Sequence, residues 1–222
     1  MTEELAFNPS ENVLPTFITP VGRFSLPSTE DLNPGLSDAI LRRADPKHGN
    51  ANSRPGWSSE ENILHWPEPG LQVLAGHVRS ALKHMILLAR EGAEFAGSAK
   101  VSAWARLHEA GAHWPISHHP RTHWTCLYFP DYQPADGDAE ESRMPLVFHD
   151  PRGPAVSMMP HPGAVGLSGQ MTLRPEPDLL LVFPSWLQYN VTNLEPGERL
   201  IVIGFGATLR SPGENGSPIA LA

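Results

Sequence analysis

The chain has 222 residues, 24 acidic against 16 basic side chains and a formal net charge of −8, and carries no basic block. That balance argues against a nucleic-acid surface. A single cysteine, Cys126, excludes an internal disulfide and a cysteine-rich zinc site. No apolar run approaches a membrane span, and the opening Met1-Thr-Glu-Glu lacks a basic signal-peptide start, so a cytoplasmic protein without membrane contact is expected.

In chain order, the first portion through about Asn52 is rich in Pro, Asn and Ser, with one short helix expected at Leu36–Arg43. From Pro69 the pattern changes. Leu71, Val73, Leu74, Val78, Ala81, Leu82, Met85 and Ile86 fall at helical spacing and give one apolar stripe, expected to pack on the outside of a sheet. Gly92 and Gly97 close this helix. From Val101 onward short apolar runs alternate with Pro/Gly turns, the signature of a sandwich or barrel. Trp124–Phe129 reads as a strand with Cys126 as a small core residue. The acidic connection 131–143, with Asp136, Asp138, Glu140 and Glu141, is either a solvated loop or a lid. Leu179–Phe183 is a buried strand that Pro184 stops. Glu195-Pro-Gly-Glu198 reads as a hairpin turn returning through Arg199–Ile203, with Tyr189 near one end of the pair and Arg199 opposite. One domain over 1–222 is expected, with an irregular and helical portion to about 100 and a β core over about 100–210. The class is mainly β with flanking helices.

His108, His113, His118, His119, His123, His149 and His161 crowd one region. Neutral imidazole is a common ligand for iron and other transition metals. A facial 2-His-1-carboxylate site takes two ligands two residues apart on one strand and a third from a distant strand. On that alternation Ser117 and His119 share a face while His118 points away, so this pair supplies one nitrogen. Trp104, Arg106 and His108 share a face of their own strand, which makes His108 the substitute ligand, facing His119. Asp150 in Asp150-Pro-Arg152 is expected to hold Arg152 or cap a turn.

Phe183-Pro-Ser-Trp-Leu187, Val191 and the arginine ten residues after Tyr189 make up a motif that resembles the distal signature of a bacterial family of 2-oxoglutarate-Fe(II) oxygenases. An earlier block supports the resemblance: Trp104, Gly111, His118-His119-Pro120, Tyr128 and Leu146-Val-Phe-His-Asp-Pro-Arg152. The resemblance implies a double-stranded β-helix, a jelly-roll or cupin-like fold, and the cofactors Fe(II) and 2-oxoglutarate. His119 falls at an iron-ligand position, and Arg199 at that of the arginine which anchors the keto acid. Tyr189 stands where the family has its distal His, Ser117 where it has the first His of the near pair, and Ile201 where it has the Ser after the anchoring arginine.

Three functions are compatible with these residues. A diverged Fe(II)/2-oxoglutarate dioxygenase, an oxidoreductase acting on a small metabolite, would bind metal through His119 and His108 and the keto acid through Arg199, with Arg106 as a second cation. A metal-independent isomerase, cyclase or lyase would use His119, His108 and Tyr189 as acid and base. A non-catalytic relative would bind a small ligand. The expected partner is a small molecule, with a homodimer suggested by the open edges of such sheets.

Overall fold

The computed structural model describes residue 8 and residues 18–44, 56–59, 62–112, 114–135, 144–152, 169–211 and 219–220. Ten strands and two helices appear there: β1 Gly22–Ser25, α1 Leu32–Ala44, β2 Trp57–Ser58, α2 Pro69–Ala89, β3 Ser98–Glu109, β4 Trp124–Gln133, β5 Leu146–His149, β6 Gln170–Leu173, β7 Leu179–Pro184, β8 Tyr189–Val191, β9 Arg199–Arg210 and β10 Ile219–Ala220. A 3₁₀ turn at Ile63–His65 precedes α2, with the Asn62 side chain accepting from Leu64 N. The expectations for acidic residues 136–143 and for His113 and His161 lie outside the described residues.

Seven strands form one antiparallel sheet in the order β1-β7-β4-β9-β3-β10, with β2 also on β3, and β6-β5-β8 form a second. Period-two alternation divides the large sheet into two apolar faces. Ala103, Ala105, Leu107, Cys126, Tyr128, Ile201, Ile203 and Phe205 pack toward the helices. Leu127, Phe129, Leu181, Phe183, Leu200 and Val202 face the small sheet, meeting Leu146, Phe148, Tyr189 and Val191. This is a mainly β, two-sheet architecture with helices on one outer face, the jelly-roll class expected from the sequence.

The helices form where the apolar stripe predicts. α2 starts with Pro at its first turn, where a missing N–H costs nothing. It buries Leu71, Leu74, Val78, Leu82, Met85 and Ile86 at roughly 1.5–3 kcal/mol for each large side chain. Glu91 and Gly92 take positive φ of 53° and 88°, the left-handed step that ends a helix. α1 is tied to the sheet by Asp178, whose Oδ1 accepts from the Thr29 hydroxyl and from Asn33 Nδ2 at 2.6 Å. Among the described residues no helix is long and apolar enough to cross a membrane.

One topological expectation is corrected. β8 and β9 are not a hairpin pair: β8 pairs with β5 in the small sheet, Phe148 opposite Tyr189, whereas β9 pairs with β3 and β4 in the large one. Three-residue β8 ends at Val191, and buried Leu194 then draws the chain into the core between the sheets. The turn at 195–198 is therefore a crossover, closed by Glu195 N donating to Glu198 Oε2 at 2.6 Å with Gly197 at φ 92°.

Candidate functional site

β3 presents Trp104, Arg106 and His108 on its inner face, between the sheets. Trp104 lies flat across β9 at Gly204, where an added Cβ would come within 2.2 Å of the indole. Only a glycine leaves room there. The Trp104 ring in turn supports the His119 imidazole at 4.6 Å between centroids.

The segment 114–123 carries His119 but is not a strand, which corrects the expectation of period-two alternation around Ser117. A single bridge, Ser117 to Tyr189, ties it to β8, and Pro115 and Pro120 remove the N–H donors that a ladder would need. His118 is exposed. His119 is instead clamped through its backbone: its N–H donates to Ser185 O at 2.9 Å and its carbonyl accepts from the Thr122 hydroxyl at 3.0 Å. The Ser185 hydroxyl, buried, links the hydroxyls of Thr122 and Thr125 at 2.8 Å each.

The clamp delivers His119 Nε2 to 3.0 Å from the Tyr189 hydroxyl. Burial, then the nearby Arg106 charge and His118, hold the His119 imidazole down at about 4. Burial pushes the Tyr189 phenol up to about 12, against the opposing pull of Arg106. Both groups are therefore neutral near pH 7, and the phenol proton has no other acceptor among the described residues. It is donated to Nε2, which leaves the imidazole proton on Nδ1.

Arg106 sits at the centre of this polar group. Its guanidinium lies over the Trp114 ring at 4.3 Å, and burial lowers its pKa without approaching neutrality. His108, beside it and 5.0 Å from the Trp114 ring, is held down at about 3 by burial and by the Arg106 charge. These residues line a small cavity together with Ser117, Tyr189 and the apolar side chains of Leu127, Phe129, Leu146, Val191 and Val202. Arg106 Nε, His108 Nδ1 and the Nε1 atoms of Trp104 and Trp114 are all buried without a hydrogen-bond partner.

The remaining sequence candidates lie elsewhere. Arg199 is not brought to the cavity, which corrects its assignment as the keto-acid anchor. It falls on the same alternation as Ile201 and Ile203, whose side chains face the helices, and its Nη2 pairs with Asp131 at 2.8 Å. The inward positions on this strand are Leu200 and Val202. His123 Nδ1 accepts from Leu209 N at 3.0 Å and His149 Nε2 contacts Asn190 Oδ1 at 2.7 Å. Asp150 holds Arg152 through both side chain and backbone. Sequence reasoning missed Trp114 as the platform for Arg106, and missed Ser185 and Thr122, although Ser185 lies within the Phe-Pro-Ser-Trp run already singled out. A hydroxyl next to a strand-ending proline was the available signal.

These residues do not fit a facial iron site. Among the described residues no three His, Cys, Asp or Glu side chains gather closely enough to hold a metal ion. The Ser117 hydroxyl is turned to Pro115 O at 2.9 Å, no carboxylate among the described residues lines the cavity, and a permanent cation does. A divalent ion held by one imidazole beside a guanidinium lacks both ligands and charge compensation.

Residues 102–205 match the model of a family described as "Putative 2OG-Fe(II) oxygenase". No curated protein matches the chain by sequence. Among solved structures it is similar to a prolyl-4-hydroxylase from Pseudomonas putida, at 16% identity over 87% of this chain and 93% of that one, with a TM-score of 0.53. A Trichoplax adhaerens prolyl hydroxylase, crystallised with a hypoxia inducible factor peptide fragment, aligns at 9% identity over 85% and 83%, with a TM-score of 0.54. AviO1 from Streptomyces viridochromogenes Tue57 aligns at 13% identity over 90% and 93%, with a TM-score of 0.52. At these identities the structures share the fold with this chain, whereas the family model reaches the site itself. The matched residues 102–205 contain every side chain lining the cavity, so the site itself is similar to that of the 2OG-Fe(II) oxygenase family.

Proposed function

We propose that this chain is an iron-independent member of that family, an enzyme that moves a proton on a small molecule in a redox-neutral reaction. The observation that carries the reading is the neutral His119–Tyr189 pair, hydrogen-bonded at 3.0 Å with the Tyr189 side chain in the cavity wall. An imidazole and a phenol in this arrangement suit enolisation. A substrate carbonyl oxygen takes the Tyr189 proton as a hydrogen bond, and His119 Nε2, released from the phenol, accepts the proton from the adjacent carbon. The carbon–hydrogen pair becomes the carbon–carbon double bond of the enolate as the carbonyl π pair moves onto oxygen, and the proton then returns from His119 to the same or a conjugated carbon. His119 is the base, Tyr189 the hydrogen-bond donor to the oxyanion, and His108 a neutral wall of the cavity.

Two measurements test this. Anaerobic dialysis against Fe(II) with 2-oxoglutarate is expected to leave the protein with far less than one iron per chain; stoichiometric iron with bound keto acid overturns the reading in favour of a diverged oxygenase. Incubation in D₂O with a panel of 2-oxo acids and β-keto acids, followed by proton NMR, is expected to show protein-dependent exchange at carbon in at least one compound. That exchange must be lost in His119→Gln, and an unchanged rate in the variant sinks the assignment.

A further inference from the structure

Five buried nitrogens among the described residues have no hydrogen-bond partner, and four of them belong to residues that line this one cavity. Trp104 Nε1, Trp114 Nε1 and Arg106 Nε are donors only, and His108 Nδ1 is a donor in one tautomer. Buried donors are paired in the great majority of cases, because leaving one unpaired forfeits its hydration without a replacement. Three of them belong to side chains in mutual contact, Arg106 and His108 both against the Trp114 ring, which favours an acceptor-rich group beside them. Among the described residues the guanidinium makes no ion pair, and it lies over the Trp114 face.

We propose that the cavity is a carboxylate site, and that the substrate is a short-chain organic monocarboxylate held by Arg106 and His108. Its few carbons lie against Leu127, Leu146, Val191 and Val202, toward the His119–Tyr189 pair. A carboxylate matches the planar donor edge of a guanidinium in two parallel bonds. Arg106 is the one cation among the described lining residues, so a second carboxylate has no charged partner to receive it. This assignment deepens the proton-transfer reading of the same cavity, because a 2-oxo monocarboxylate carries both the anion and the enolisable carbonyl.

The test is binding, read without turnover, on the full chain at fixed ionic strength by calorimetry and by the fluorescence of Trp104 and Trp114. Pyruvate and propionate are expected to bind, and propionamide, the neutral analogue, about tenfold or more weakly. Arg106→Met is expected to lose pyruvate binding by a similar factor, and Arg106→Lys to keep part of it. Arg106→Met is also expected to raise the melting temperature of the ligand-free protein, since it removes an uncompensated buried charge; a merely structural arginine gives the opposite sign. Equal affinity for propionate and propionamide, unchanged pyruvate binding in Arg106→Met, or tighter binding of 2-oxoglutarate than of pyruvate each overturns the proposal. Carboxylate binding without exchange in D₂O leaves this site standing and removes the proton chemistry. Exchange without Arg106-dependent carboxylate binding does the reverse.

Discussion

Gly204→Ala is the sharpest test of how the site is built. The new Cβ would stand 2.2 Å from the Trp104 ring, whereas ordinary contact begins at 3.4 Å, so the indole must retreat by about 1.2 Å. Its retreat is toward the His119 ring, 4.6 Å away, because the backbone of β9 is fixed by pairing with β3 and β4 on either side. Overpacking of this kind costs about 1–3 kcal/mol. For a chain of this length that corresponds to a fall of roughly 2–12 °C in melting temperature. Urea unfolding of Gly204→Ala, Trp104→Leu and the double variant measures the coupling directly. The Leu side chain leaves room for the Cβ, so the double variant is expected to be more stable than the sum of the single effects by about 1 kcal/mol or more. Strict additivity would refute the claim that the glycine exists to seat the indole.

Three further outcomes follow from the same geometry. His108 is neutral and buried with a pKa held at about 3, well below its ordinary 6.5; between those values the unfolded chain binds the extra proton, so stability is present above about pH 6.5 and is lost as pH falls toward 3, by on the order of a few kcal/mol. His119 adds a smaller effect in the same direction, reduced by its partial exposure; urea midpoints across pH 4–7 should flatten in His108→Gln. Ser185→Ala removes the shared hydroxyl between Thr122 and fully buried Thr125, at about 1–3 kcal/mol, and Thr125→Val in that background should recover part of it. The exchange reaction should rise with pH as His119 deprotonates near 4 and then stay level through neutrality; Tyr189→Phe should lower that plateau about a hundredfold without moving the lower limb.

The strand frame was legible in the sequence because hydrophobic alternation, proline stops and the Phe183-Pro-Ser-Trp-Leu187 run are local signals. α2 was legible for the same reason, its stripe being long and regular. The faces of β3 were legible too, since one strand's period places Trp104, Arg106 and His108 together. What failed was long-range. Whether β8 pairs with β9 or with β5 depends on where Leu194 is buried, and no local pattern says so. The side to which Arg199 points depends on the length of that crossover, and a change of one residue there exchanges the two faces of β9. The indole platforms under His119 and Arg106 arise from contacts between strands far apart in sequence, so spacing alone does not announce them.

The exchange of a metal site for a guanidinium conserves more than it changes. An Fe(II) ion held by two neutral imidazoles and one carboxylate leaves a net charge of about +1 between the sheets. Here Ser117, His108, His119 and Tyr189 are neutral and Arg106 alone supplies that charge. On the proposed reading, the positive charge between the sheets that would draw an anionic substrate is kept although the ligand set differs. This makes a direct prediction about a third charge state. Ser117→Asp places a carboxylate in the cavity wall and takes the net charge to about zero. The variant is expected to be at least as stable as the parent in urea, because the buried guanidinium gains a counter-ion, and to lose pyruvate binding about tenfold or more. If pyruvate still binds with parental affinity, the charge of Arg106 is not what recruits the ligand, and the equivalence between guanidinium and metal fails.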